Sequence, residues 1–295
     1  MQQILSKKTF QWLALFLLAL VWGSSFILMK RGLDSFSYVQ VASLRIFIAF
    51  VSLFPFVFRW FKLLRGKKLL PIFISGLLGN TFPAFLFTKA QTMLPSSYAG
   101  MLNSLTPLFT LLLGLALFGV KTKWFNILGI CVGLAGAIGL INANGLDLNS
   151  PNLIYSLYAV GAALCYAISV NVIKRYLHDV NSLAITALSF FCVGPLMIVP
   201  LYQTDVLGVL FEKPESWRSL GFIVFLAVIG TSAAVVLFNN LIKHTTAMFA
   251  ASVTYLIPVV AILWGVFDGE AITLYHLLFV GVILAGIYLV NFNRS

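Results

Sequence analysis

Ten stretches of this chain are apolar and long enough to cross a lipid bilayer, and the second five repeat the pattern of the first five. They lie near 10–29, 38–58, 69–90, 97–118, 124–141, 153–173, 182–202, 219–241, 248–267 and 274–292. A helix needs about 20 mostly apolar residues to span the hydrocarbon layer, and in lipid it must satisfy its own backbone hydrogen bonds. Only 9% of the residues are charged, against about 25% in an ordinary soluble domain. So few charges could not cover the surface of a water-soluble fold. The expected fold class is therefore an all-α membrane protein.

The repeat is legible residue by residue. Trp22, Ser25, Lys30 and Arg31 correspond to Tyr166, Ser169, Lys174 and Arg175. Gly79, Phe87, Leu105, Pro107 and Gly114 correspond to Gly230, Phe238, Leu256, Pro258 and Gly265. A repeat of five spans is odd, so the second copy enters the bilayer from the opposite side. The expected architecture is ten transmembrane helices as two inverted five-helix repeats, 10–141 and 153–292, joined by a polar linker at 142–152. Many secondary transporters are built in this way, with the binding site near the midplane between the repeats.

The net charge of +11 suggests nucleic acid at first sight, but its distribution argues against it. With a cytoplasmic amino end, most of the 19 Lys and Arg residues fall on the inner side, above all in the 59–68 loop. This is the positive-inside bias of membrane insertion, and such a loop also touches anionic headgroups. The expected partners are thus the lipid bilayer and a small-molecule substrate, with no nucleic acid. Both termini are expected to be cytoplasmic, in a multi-pass protein of the plasma (inner) membrane. The first span is too long for a cleavable signal, lacks a small-x-small site, and is followed at once by Lys30–Arg31.

The acids are informative by position. Asp34, Asp147, Asp179, Asp205, Glu212, Glu215, Asp268 and Glu270 all fall in loops or at span ends. Proton-coupled carriers generally place Asp, Glu or His within the membrane, so no midplane carboxylate switch is expected. There is also no paired-carboxylate site, no nucleophile with an evident base, and no metal-ligand spacing among Cys131, Cys165 and Cys192. No enzyme activity, metal or cofactor is expected.

Arg45 is the charge well inside a span. It could hold an anionic group in a water-filled vestibule near the outer mouth, or snorkel outward to helix-end carbonyls. Asn103, Thr106 and Thr110 share a helix face, as do Trp22, Ser25 and Met29, and in the second repeat Tyr166, Ser169 and Ile173. Amides have several hydrogen bonds to satisfy, and aromatic rings suit a pocket that is apolar with a wet end. Trp22, Ser25, Arg45, Asn103, Tyr166, Asn239 and Tyr255 are the candidate substrate contacts. Pro107 and Pro258, each preceded four positions earlier by a polar residue, are candidate hinges. The glycines at 129, 133, 136 and 139 permit close helix packing, either within a monomer or across a weak homodimer.

The chain resembles the EamA-type carriers of the drug/metabolite transporter superfamily. The resemblance rests on an ordered set of segments: ALVWGSSFILMKRG, LRIFIAF (44–50) and AGMLNSLTPLFTLLLGLALFG (99–119) in the first half. ALCYAISVNVIKR (163–175) and AASVTYLIPVVAILWGVFDGEAIT (250–273) recur in the second, and GICVGLAGAIGL and VGVILAGIYLV close the halves. It implies a central cavity lined by spans 1, 3, 4, 6, 8 and 9, with spans 5 and 10 peripheral. It also implies transport of amino acids, sugars, nucleotides, amines or similar metabolites, often outward. Arg45 and Glu270 match residues common in the family, whereas GVKTK (119–123) lacks the acid often found there. Glu270 is expected to cap or orient the loop into the last span. The alternatives are a flippase for lipid-linked intermediates and a receptor or assembly subunit that moves no solute.

Overall fold

The computed structural model describes residues 8–119, 123–143, 151–244 and 253–291, and among these every regular element is helical. Eight helical stretches are long and apolar enough to span a membrane. They are α1 (Thr9–Leu33), α2 (Tyr38–Arg65), α3 (Leu69–Ala90), α4 (Ser96–Phe118), α5 (Trp124–Asn142), α6 (Asn152–Tyr176), α7 (Ser182–Gln203) and α8 (Ser216–Leu241). Two shorter apolar helices follow, α9 (Leu256–Phe267) and α10 (Leu274–Leu289). The linker expected at 142–152 lies largely outside the described residues.

Local chemistry sets the helix ends. α2 starts at a capping box: Gln40 N–H donates to Ser37 Oγ at 3.3 Å, and Ser37 N–H donates to Gln40 Oε1 at 2.8 Å. Gln40 Nε2 also donates to the Thr204 carbonyl at 2.8 Å, which fixes the start of α2 to the end of α7. Asn181 caps α7 by accepting from Leu183 N–H at 2.9 Å. α4 stops at Gly119, whose φ of 64° is the left-handed conformation that glycine adopts without a Cβ clash.

The two halves interleave. α1 packs on α9 and α8, α3 and α4 pack on α6, and α2 packs on α7 and on the middle of α8. α5 lies along α10, apart from this centre. That pairing depends on missing side chains, since a methyl at Gly286 would collide with the backbone of Gly129 and Gly133. The α5 glycines are therefore engaged within the chain. Leu13, Phe16, Leu17, Leu20, Val51 and Phe54 are exposed on the outside of the bundle, as a lipid-facing surface requires.

Four of the spanning helices are interrupted within their length, α7 by a 3-10 turn at Pro195–Met197. α3 runs through a π-helical turn at Leu77–Thr81 and α8 through one at Leu226–Ala233. α4 breaks at Ser104–Leu105 and resumes at Thr106 with Pro107 in its first turn. A proline there loses no hydrogen bond, because the first N–H groups of a helix have no intrahelical partner. Pro258 differs from its counterpart, sitting inside the unbroken helix Val253–Phe267. The matched interruptions thus fall in α3 and α8, around Gly79 and Gly230, rather than at the two prolines.

Candidate functional site

The two π turns face α6 and α1. A π turn frees backbone carbonyls from the regular ladder and recurs at functional sites. In α8 the freed carbonyl of Gly230 accepts from Trp22 Nε1 at 3.1 Å. Trp22 also meets Phe238 edge-on, with centroids 4.9 Å apart. Ser25, one turn further along α1, donates to the Val21 carbonyl at 2.9 Å and packs against Gly230. The second half places its corresponding residues in the same way. Tyr166 packs on Phe87 at 6.1 Å, and Ser169 covers Gly79 in the π turn of α3 and reaches Ser75 Oγ at 3.4 Å. A side chain at either glycine would occupy the space its serine needs.

Arg45 turns into the bundle and does not snorkel. It is 8% exposed. Its Nε donates to Thr231 Oγ1 at 2.9 Å, and its Nη1 points at Met29 Sδ at 3.6 Å. The Tyr166 hydroxyl interacts with the same guanidinium. Thr231 belongs to the α8 π turn and donates its own proton to the Leu226 carbonyl at 3.1 Å. Arg45 thereby joins α2, α1, α8 and α6. Among the described residues every ion pair lies elsewhere, and none reaches Arg45. A lone cation within a membrane helix costs about 2.5–3.5 kcal/mol, and a hydroxyl and a thioether offset that only in part.

The remaining sequence candidates divide. Asn103 is half-buried and its Oδ1 accepts from Thr106 Oγ1 at 3.5 Å. Thr110 donates back to the Thr106 carbonyl at 2.7 Å, so its hydroxyl serves its own helix. Asn239 is buried and donates to Thr186 Oγ1 at 3.3 Å, a bond to α7. The Tyr255 side chain lies outside the described residues. Two participants were missed by sequence reasoning. One is Thr231; the other is Asn171, whose Nδ2 donates to the carbonyls of Thr110 at 2.9 Å and Ala167 at 3.0 Å and so joins α6 to α4. Asn171 was findable as an amide within a span; Thr231 was not, because its role depends on the π turn.

Both ends of the bundle carry ionic contacts. At one end Glu270 accepts from Ser96 N–H and Oγ at 2.8 and 2.9 Å, and from Ser97 N–H and Oγ at 3.0 and 2.5 Å. Lys30 binds Glu270 at 2.8 Å and Asp268 at 2.7 Å, and Arg31 pairs with Asp268. Glu270 therefore caps α4 and does not serve the loop into α10. The reason is physical: the first N–H groups of α4 have no helical partners, and a carboxylate satisfies two of them at once. Burial on its own raises the Glu270 pKa. The hydrogen bonds from Lys30, Ser97 and Ser96 outweigh it and hold the carboxyl at about 2, against 4.5 ordinarily. At the other end Lys68 bridges the Tyr176 carbonyl at 2.8 Å and Asp179 at 2.6 Å, and that hydrogen bond holds Asp179 below the usual carboxylate range.

Interleaved apolar helices with interrupted centres and ionic ends define a polytopic helical membrane protein. The chain belongs to the EamA-like transporter family, whose pattern matches residues 10–142 and 153–292. An uncharacterized inner membrane transporter of Escherichia coli, YedA, is 30% identical over 292 residues, covering 95% of this chain and 90% of the relative. A probable terminal-alkyne amino-acid exporter of Streptantibioticus cattleyicolor is 23% identical, covering 94% of this chain and 92% of the relative. A crystal structure of a protein 19% identical aligns with a TM-score of 0.61 over 96% of each chain, a likeness of fold. The chain is thus a membrane transporter of this family.

Proposed function

We propose that the chain is a secondary transporter that exports a small metabolite, an amino acid or similar compound, across the inner membrane by alternating access. In this reading ten helices span the bilayer as two inverted repeats, with both termini in the cytoplasm. The observation that carries it is the matched pair of π turns, each with a glycine covered by a serine from the opposite half. Paired helix interruptions at the repeat interface are where such carriers bind their cargo. Trp22, Ser25, Arg45, Asn103, Tyr166, Asn239 and Tyr255 are the proposed contacts, and Pro107 and Pro258 the hinges. The Lys30, Asp268 and Glu270 cluster ties α1, α4 and the end of α9 together, and serves as a closed gate on the outer side. A monomer suffices for this, since α10 already occupies the glycine face of α5. The similarity to the probable terminal-alkyne amino-acid exporter of Streptantibioticus cattleyicolor supports an amino-acid-like cargo.

The test is counterflow of labelled amino acids in proteoliposomes. Tyr166→Ala and Asn103→Ala are expected to lower flux at least tenfold while leaving insertion intact. Undiminished flux in both variants would remove those residues from the site. Flux of a lipid-linked sugar that soluble amino acids do not inhibit would favour a flippase instead.

A further inference from the structure

Among the described Lys and Arg residues Arg45 is the buried one. Lys30, Arg31 and Lys68 each meet a carboxylate. Lys89 lies 4.3 Å from the Tyr38 ring and 5.8 Å from that of Tyr155. Arg45 is more deeply placed, and its acceptors are all neutral. A guanidinium remains charged in any protein environment, so burial cannot relieve it by deprotonation. Nor can the chain supply a counter-charge, since no Asp or Glu lies within the spans that surround it.

The hydrogen-bond inventory narrows what is missing. A guanidinium carries five N–H donors in a planar fork. Nε is held by Thr231 Oγ1, itself fixed by its bond to the Leu226 carbonyl, so the plane of the fork is set. Nη1 rests on the thioether of Met29 at 3.6 Å, a weak acceptor that an oxygen would displace. The Tyr166 hydroxyl takes a further N–H of the guanidinium, so the fork is held by two hydroxyls and weakly occupied at Nη1, where a carboxylate oxygen would bind. One cation balances one negative charge. A dianionic phosphate would leave net charge in the low-dielectric interior.

We propose that Arg45 is the substrate-recognition residue for a single carboxylate, and that the cargo is a small monocarboxylate whose carboxylate displaces Met29 from the guanidinium. This deepens the carrier reading and rests on it. The Tyr166 hydroxyl borders the same place, and Trp22 is bonded to Gly230, the residue before Arg45's partner Thr231; the two would contact the hydroxyl-bearing or apolar remainder of the molecule.

The experiment compares matched acids and amides on detergent-purified protein and in proteoliposomes. The probes are N-acetylleucine against N-acetylleucinamide, hexanoate against hexanamide, and methyl phosphate. The acids are expected to raise the melting temperature and the amides not to. Arg45→Gln should weaken acid binding at least tenfold. Should that variant fail to fold, Met29→Leu decides, since it removes the competing sulfur and keeps the guanidinium. It is expected to bind the acids as tightly as the parent or more tightly. Equal shifts by acid and amide, no shift by any acid, a larger shift by methyl phosphate, or loss of acid binding in Met29→Leu would each overturn the proposal. Equal flux of acid and amide overturns it while leaving the carrier standing. Acid binding without any flux removes the carrier reading and leaves the carboxylate site.

Discussion

Glu270 shows how far a single side chain reaches in this molecule. Its two oxygens cap α4 and bind Lys30, so it joins three helices through one carboxylate. Because its pKa is depressed to about 2, it stabilises the fold above the unfolded value of about 4.5 and loses that contribution as pH falls toward 2. The parent protein is therefore expected to lose thermal stability between pH 4.5 and 3, whereas Glu270→Gln is already weaker at pH 7 and changes little over that interval. Breaking such a half-buried pair should cost about 2 kcal/mol, below the ~3–5 kcal/mol of a fully buried one. Melting curves of both proteins from pH 7 to pH 3 check this, and parallel curves would remove Glu270 as the titrating group. The sequence indicated that Glu270 matters but not what it holds. Loop residues were expected to act on the adjacent helix, and the structure instead satisfies the orphan amides of α4, far off in the chain. Arg45 was similarly legible as a costly charge within a span. Its partners were not, since Thr231 reaches it only through the irregular backbone of α8.

Eight of the ten expected spans are helices long and apolar enough to cross a membrane, and the last two are shorter apolar helices, because apolar length and terminal polarity are written directly in the residues. What the pattern concealed is hydrogen-bond register. A π turn changes which carbonyl each N–H meets without changing hydrophobicity, so Leu77–Thr81 and Leu226–Ala233 leave no trace in the apolar pattern. The two prolines differ in setting: Pro107 begins a helical segment and Pro258 is carried within one. Two substitutions separate register from packing. Thr231→Val keeps the shape but leaves Arg45 Nε and the Leu226 carbonyl without their partner, at a cost of about 1–3 kcal/mol. It is expected to lower flux together with stability. Gly286→Ala drives a methyl into the backbone of α5, which overpacking places at about 1–3 kcal/mol. Since α5 and α10 stand apart from the central residues, this variant is expected to melt earlier while its flux per folded molecule stays unchanged. Equal functional damage from both would show that the peripheral pair is coupled to transport.

At the scale of the whole molecule, the proposed repeats are alike in their centres and unlike at their ends. Lys30–Arg31 correspond to Lys174–Arg175, but the acids that meet the first pair have no counterpart in the GVKTK segment. Alternating access needs two arrangements of similar free energy, and a contact present in only one of them shifts the balance by its own strength. The proposed outer gate is closed by Lys30 with the buried Asp268 and Glu270, whereas the inner end has the more exposed pair of Lys68 with Asp179 and lacks acids at the positions corresponding to Asp268 and Glu270. The unloaded carrier should therefore rest with its outer side shut, ready to take cargo from the cytoplasm, which suits an exporter. A cysteine at Leu28, half-buried on α1, reports the state through its reaction with an impermeant maleimide added outside. With Cys131, Cys165 and Cys192 replaced by alanine and the chain otherwise native, labelling should be slow. Asp268→Asn combined with Glu270→Gln removes the acids that hold Lys30, and should raise the labelling rate several-fold while slowing net export. The same rate in both backgrounds would mean that the ionic cluster only stabilises the fold, and the direction of transport would then have to be set elsewhere in the cycle.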